Sequence, residues 1–163
     1  VIVLSDTTPL NYLVLIDQAS ILPALFGEIY VPQAVCEELG NPASPQKVRD
    51  WILQAPAWLV VRAPATMDES LRLGRGETET IGLALELNAD LLLMDDRVAR
   101  NAAKRRNLNV AGTVNVLEAA ARRDLLDLRA AIATLRTTNF HISEGILAEL
   151  LRAYDAWRKD RRP

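Results

Sequence analysis

Two stretches constrain the fold of this chain more than any others: "VIVLSD" at residues 1–6 and "LLLMDD" at residues 91–96. Each is an almost unbroken apolar run that stops at an acid. A strand with one wet face alternates apolar and polar residues. An unbroken run needs cover on both faces, which is the mark of a parallel sheet lying between helices. Weaker strand signals follow in "EIYVP", "WLVVRAP" and "LNVAG".

Helical patterns separate these strands. Thr8 followed by Pro9 reads as an N-cap and a proline at the first helical position. A short helix is expected from about Gln18 to Leu25, another over "PQAVCEELGN", and another from Ser44 and Pro45 to Gln54. "ETETIGLALEL" after Gly76 is expected to stop at a left-handed Asn88, and "RVARNAAKRRN" follows the second strong strand. Thr113 reads as the cap of a helix to about Ala121. Asp127 to Arg136 and Glu144 to Arg158, capped by Ser143, complete the helices. The alternation predicts an α/β fold with a central, mostly parallel sheet. With no linker in sight, residues 1–163 read as one domain with a helical C-terminal extension from about residue 124.

The acids fall at telling places. Asp6 follows the first strand, and Asp95 and Asp96 follow the other strong one. In an open parallel sheet, ligands bind beyond the carboxyl ends of the strands, where the strand order reverses. Glu37 or Glu38 late in one helix, and Glu77 or Glu79 early in another, are candidates to join them. Within each pair the two side chains point in different directions, so one of each can face a common pocket. Clustered carboxylates repel, and a divalent cation relieves this. All-oxygen ligands suit Mg²⁺ or Mn²⁺. Such an ion acidifies a bound water and steadies an in-line phosphoryl displacement. Each acid alone has a plainer role. Asp95 or Asp96 fits an N-cap, Glu77 fits the positive end of a helix, and Glu38 fits a solvated face. Their joint placement favours the metal.

Other chemistry is disfavoured. The lone histidine, His141, is a loop residue and leaves no basis for a triad or a zinc site built on several histidines. The lone cysteine, Cys36, permits no internal disulfide and reads as a buried thiol. "GRGETE" follows no clear strand and has Glu79 at the third glycine of a dinucleotide loop. There is no phosphate-binding GK[ST]. A haloacid-dehalogenase-type phosphatase requires a second Asp where Thr8 stands. The net charge of −2 means that a nucleic-acid partner needs a local basic patch. Arg97, Arg100 and Lys104 share one helix face, and Arg75 precedes Glu77. These are the candidate phosphate contacts. Tyr154 and Trp157 in the tail "RAYDAWRKDRRP", beside several arginines, are expected to pack on the domain, the alternative being that they stack on bases. No apolar run reaches the ~20 residues of a membrane span, and no leader pattern is visible. A cytoplasmic protein is expected.

Four ordered stretches, "VLSDTTPLNYL", "YVPQAVCEELGNP", "LGRGETETIGLALELNADLLLMDDRVAR" and "LNVAGTVNVLEAA", cover about residues 1–120. Together they resemble the PIN-domain nucleases, in the branch that includes VapC-type toxins. The resemblance implies a three-layer α/β/α sandwich and cleavage of RNA with Mg²⁺ or Mn²⁺, leaving a 5′-phosphate. It places the acids at Asp6, Glu38, Glu77 and Asp95, with Asp96 sharing the last role. Glu38 is chosen because Leu39 follows it. VapC-type toxins usually carry Asp where Glu77 stands. The family's small polar residue near the metal-bound water corresponds to Thr8 or Thr113. A homodimer and a small antitoxin protein are implied partners, the chain then being the toxin of the pair. The alternative is a PIN-like scaffold that binds protein and does not catalyse.

Overall fold

The computed structural model describes residues 1–163, which form two compact units, Val1–Thr113 and Val114–Pro163. The first contains the sheet. Its elements are β1 (Val3–Ser5), α1 (Thr7–Leu15), α2 (Ile21–Phe26), β2 (Ile29–Val31), α3 (Gln33–Leu39), α4 (Gln46–Leu53), β3 (Leu59–Val61), a 3₁₀ turn (Glu69–Leu71), α5 (Arg75–Glu86), β4 (Leu91–Leu93), α6 (Arg97–Arg105) and β5 (Val110–Ala111). α7 (Thr113–Arg122) begins at the boundary, and α8 (Leu128–Leu135) and α9 (Glu144–Asp160) lie in the second unit. No helix is long and apolar enough to cross a membrane.

The five strands are all parallel, in the order β3-β2-β1-β4-β5. β1 is central. The chain builds outward from it through β2 and β3, then returns to its other side with β4 and β5. The order therefore reverses between β1 and β4, where Val3, Leu4 and Ser5 pair with Leu91, Leu92 and Leu93. All three residues of β1 are buried, as an unbroken apolar run requires.

Leu4, Leu92 and Met94 pack on one face of the sheet against Ile81, Leu83 and Ala84 of α5 and Ala99, Ala102 and Ala103 of α6. Val3, Ile29, Val31 and Leu93, alternating with those positions, are fully buried too. Helices thus cover both faces, and the arrangement is the expected three-layer α/β/α fold.

Several boundaries correct the sequence reading. α1 starts at Thr7 with Asp6 at the N-cap position, so Thr8 is no cap. Pro9 sits one residue deeper than the first turn's second position, which costs nothing because that amide has no helical partner. The second helix starts at Ile21 instead of Gln18, since Asp17 takes a left-handed turn with φ 58°. α5 starts at Arg75, which puts Gly76 inside its first turn. Thr113 is the first residue of α7, and its hydroxyl is committed elsewhere. Asn88 does adopt the left-handed conformation at the end of α5, with φ 51°.

Candidate active site

The reversal of strand order brings Asp6 and Asp95 to one end of the sheet. The Asp6 backbone N–H still donates to the Leu93 carbonyl, at 2.9 Å, so the first acid leaves the sheet directly beside β4. Asp6 occupies an N-cap position with extended backbone, yet its side chain accepts no capping bond. Its Oδ1 is buried without any hydrogen-bond partner. A carboxylate oxygen in that condition is costly unless protonated or bound to a cation. Burial, followed by the charges of Glu77, Glu38 and Asp95, pushes the Asp6 carboxyl from an ordinary 3.8 up to about 7, while the Thr7 amide opposes this. Three acids distant in sequence therefore act on the same buried group.

Asp95 is held from the other side of the sheet. It accepts from the Thr113 backbone N–H at 2.8 Å and from the Thr113 hydroxyl at 2.6 Å. Burial raises its carboxyl, while Thr113 and the charge of Arg100 pull it back, with a net rise. The first residue of α7 thereby orients the acid that ends β4.

Glu38 and Glu77 meet at the start of α5. Glu38 accepts from the Gly76 backbone N–H at 3.1 Å and from the Thr7 hydroxyl. A Cβ on Gly76 would lie 2.8 Å from the Glu38 carboxyl carbon, so only glycine allows this approach. Glu77 turns back to accept from the Gly74 N–H at 3.2 Å. Burial raises its carboxyl, with Asp96 and Glu38 adding to the rise and the Gly74 amide reducing it. The positive end of α5 steadies both charges.

The neighbouring acids have other tasks. Glu37 pairs with Arg75 at 2.7 Å. Glu79 is buried, pairs with Arg75 at 3.2 Å and accepts from the Ala34 N–H at 3.2 Å. α3 begins after Pro32, which has no side chain able to cap, and Glu79 supplies that cap from α5. Asp96 caps α6 by accepting from the Ala99 N–H at 2.9 Å. Of the adjacent aspartates, one caps a helix and the other joins the cluster.

The candidate cations are distributed unevenly. Arg75 is committed to Glu37 and Glu79. Arg97 and Lys104 are exposed, on the side of α6 opposite the buried Ala99, Ala102 and Ala103. Arg100 is half-buried, donates to the Met94 carbonyl at 3.3 Å and acts on Asp95. Thr8 is half-buried one residue beyond the hydroxyl that reaches Glu38. Sequence reasoning missed Thr7, Gly76 and Tyr12. The Tyr12 phenol is raised by burial and by Asp95. A glycine in the first turn of a helix was the available signal for Gly76.

Hard, all-oxygen donors and an orphaned Asp6 Oδ1 fit a divalent cation. As the side chains stand, no three acids form a cation site. The reason is visible in their bonds: Glu38 and Glu77 are turned to amides of α5, and Asp95 to Thr113. The donor chemistry fits, and the placement requires Glu38 and Glu77 to exchange those donors for the ion.

A parallel sheet with carboxylates gathered at its switch point defines a class of proteins, and comparison supplies the family. The chain belongs to the PIN-domain family: the profile of DUF3368, described as a PIN domain, matches residues 2–156. Members of that family are generally nucleases that use divalent metal ions. No curated protein matches the chain. A solved structure, a PilT N-terminus domain protein from the hyperthermophilic archaeon Sulfolobus solfataricus P2, is similar with a TM-score of 0.50 and 17% identity, covering 88% of this chain and 100% of that one. At that identity the likeness speaks for the fold alone.

Proposed function

We propose that this protein is an endoribonuclease dependent on Mg²⁺ or Mn²⁺. The observation that carries the reading is the buried Asp6 carboxylate, unpartnered at Oδ1 and acted on by Glu77, Glu38 and Asp95 at the switch point of the sheet. Asp6, Glu38, Glu77 and Asp95 would hold the ion. A bound divalent ion supplies an acidified water and neutralises charge on the phosphodiester. Thr113 fixes the orientation of Asp95, and the Thr7 hydroxyl with the Gly76 amide would hold Glu38 beside the site until it turns to the ion. Asp96 stabilises the helix that presents Arg97, Arg100 and Lys104, which would neutralise substrate phosphates. None of these side chains serves as a covalent nucleophile, and the product carries a 5′-phosphate. Within this reading the chain is a toxin of the VapC type, with a small antitoxin protein and a second copy as partners, working in the cytoplasm.

The test is cleavage of a labelled structured RNA with Mn²⁺, with a chelator, and by the Asp6→Asn variant. Cutting that requires both the metal and Asp6 is expected. Cutting that survives either change refutes the reading. A second reading is favoured by the amide bonds of Glu38 and Glu77, which already satisfy those acids: a protein-binding scaffold on the same fold. A folded chain that neither cuts RNA nor shows a Mn²⁺-dependent thermal shift would support it.

A further inference from the structure

The unit Val114–Pro163 has nine cations against seven acids, whereas Val1–Thr113 has ten against fourteen. Its excess gathers at the end of α9. Trp157 stacks on the buried Tyr154 with ring centroids 5.8 Å apart. Two guanidiniums lie over the indole, Arg122 at 5.1 Å and Arg161 at 4.9 Å, and Arg158 lies over the Tyr154 ring at 5.9 Å. Beside them is a cavity of about 260 Å³ lined by Asp124, Trp157, Arg158, Arg161, Arg162 and Pro163. The ion pairs of this unit use other arginines: Arg122 with Glu118, Arg129 with Asp155 and Arg136 with Glu144. None of the three arginines around the cavity takes part in those pairs, and the charge of Arg158 also acts on Asp155.

We propose that this cavity anchors single-stranded RNA, seating a backbone phosphate among Arg158, Arg161 and Arg162. A guanidinium offers a planar fork of donors that matches phosphate oxygens. A guanidinium held over a ring, as Arg161 is over Trp157 and Arg158 over Tyr154, spends no N–H donor on that contact and loses less side-chain freedom on binding. Arginines together with aromatic rings are the usual equipment of single-strand binding surfaces; here the half-buried Trp157 and buried Tyr154 support the arginines. The cavity is smaller than the roughly 300–1,000 Å³ of free-ligand pockets, which suits one phosphate of a polymer. A membrane surface fits poorly, because insertion needs a bare apolar face and here the indole is covered by two arginines. The choice of RNA over DNA rests on the nuclease reading above; the anchoring of phosphate does not.

The experiment measures binding of a short single-stranded RNA by the full chain in chelator, where cleavage plays no part. Arg161 and Arg162 are exposed, so the R161A/R162A variant is expected to fold, and a thermal melt checks this. Its affinity is expected to fall about tenfold, with the slope of log K against log salt shallower by about 0.7, the share of one single-strand phosphate contact. R161K/R162K is expected to restore the slope and only part of the affinity. Unchanged affinity and slope in the alanine variant, no binding by the unaltered chain, or tighter binding to anionic vesicles than to RNA would each overturn the inference. A chain that binds in this way but never cuts would leave the anchor standing and remove the nuclease. A chain that cuts with an unaffected R161A/R162A variant would do the reverse.

Discussion

Replacing Asp6 by Asn is expected to stabilise the metal-free protein, and increasingly so as the pH rises. The Asp6 carboxyl rises from 3.8 to about 7 on folding, so the folded chain holds a proton that the unfolded chain releases near pH 3.8. Below 3.8 both states carry it and nothing is lost. Between 3.8 and 7, stability falls by about 1.4 kcal/mol per pH unit, and above 7 the full cost of about 4 kcal/mol is in force. Between pH 5 and pH 8 the loss through this residue is about 2–3 kcal/mol. Leu4, Leu92 and Leu93, each wholly buried, contribute about 1.5–3 kcal/mol apiece, and that is how the sheet tolerates the acid. Asn carries no such proton. Glu77 and Asp95 are also raised; apart from their repulsion of Asp6, already contained in its own shift, they are common to the two proteins. Urea unfolding of wild type and D6N in chelator at pH 5, 6, 7 and 8 measures the gap. A gap that widens by about 2–3 kcal/mol in favour of D6N is expected. A gap independent of pH, or one that narrows as pH rises, would refute the burial and crowding of Asp6 on which the site rests.

Three other substitutions examine separate parts of the site. Gly76→Ala adds a Cβ against the Glu38 carboxyl. It is expected to lose at least about tenfold in Mn²⁺ affinity without the ~1 kcal/mol that alanine normally adds to a helix, and a higher melting temperature with intact Mn²⁺ binding would contradict this. Asp96→Ala removes a cap and is expected to cost about 1 kcal/mol in urea unfolding, with RNA cleavage within a few-fold of wild type. A hundredfold loss of cleavage in the folded variant would instead make Asp96 a ligand. Thr113→Val removes a hydroxyl that holds the Asp95 carboxyl down, so the acidic limb of the pH–rate profile is expected to move to higher pH. An unmoved limb would show that the hydroxyl does not govern Asp95.

The sheet was legible because the runs ending at Asp6 and Asp95 leave little alternative to strands covered on both faces. The acids at their ends were legible for the same reason. The choice between Glu37 and Glu38 was beyond composition or spacing, because what separates them lies 38 residues away: Gly76 offers an amide to one, and Arg75 a guanidinium to the other. The same distance hid the commitment of Arg75, which looked from its sequence position like a free phosphate contact. Glu79 was invisible as the cap of α3 because only the packing of α5 beside Ala34 makes it one. The error of two residues at the start of α1, whose N-cap is Asp6 and not Thr8, came from Pro9. Proline is equally content at several first-turn positions, so it marks a helix start without fixing its register.

The central place of β1 also bears on how the protein is made. Of the five strands β1 is made before the others, and its β2 side can be filled early by Ile29–Val31, yet its other side waits for Leu91–Leu93. Parallel pairing over such a span closes slowly. Asp95 emerges just after those residues, and the threonine that orients it follows later still, at Thr113. Between the synthesis of Glu38 and that of Asp95, a nascent chain carries the first two acids without the last. Under the nuclease reading, a product truncated before Thr113 lacks the residue that orients Asp95, so the site is completed only with the last strand of the sheet.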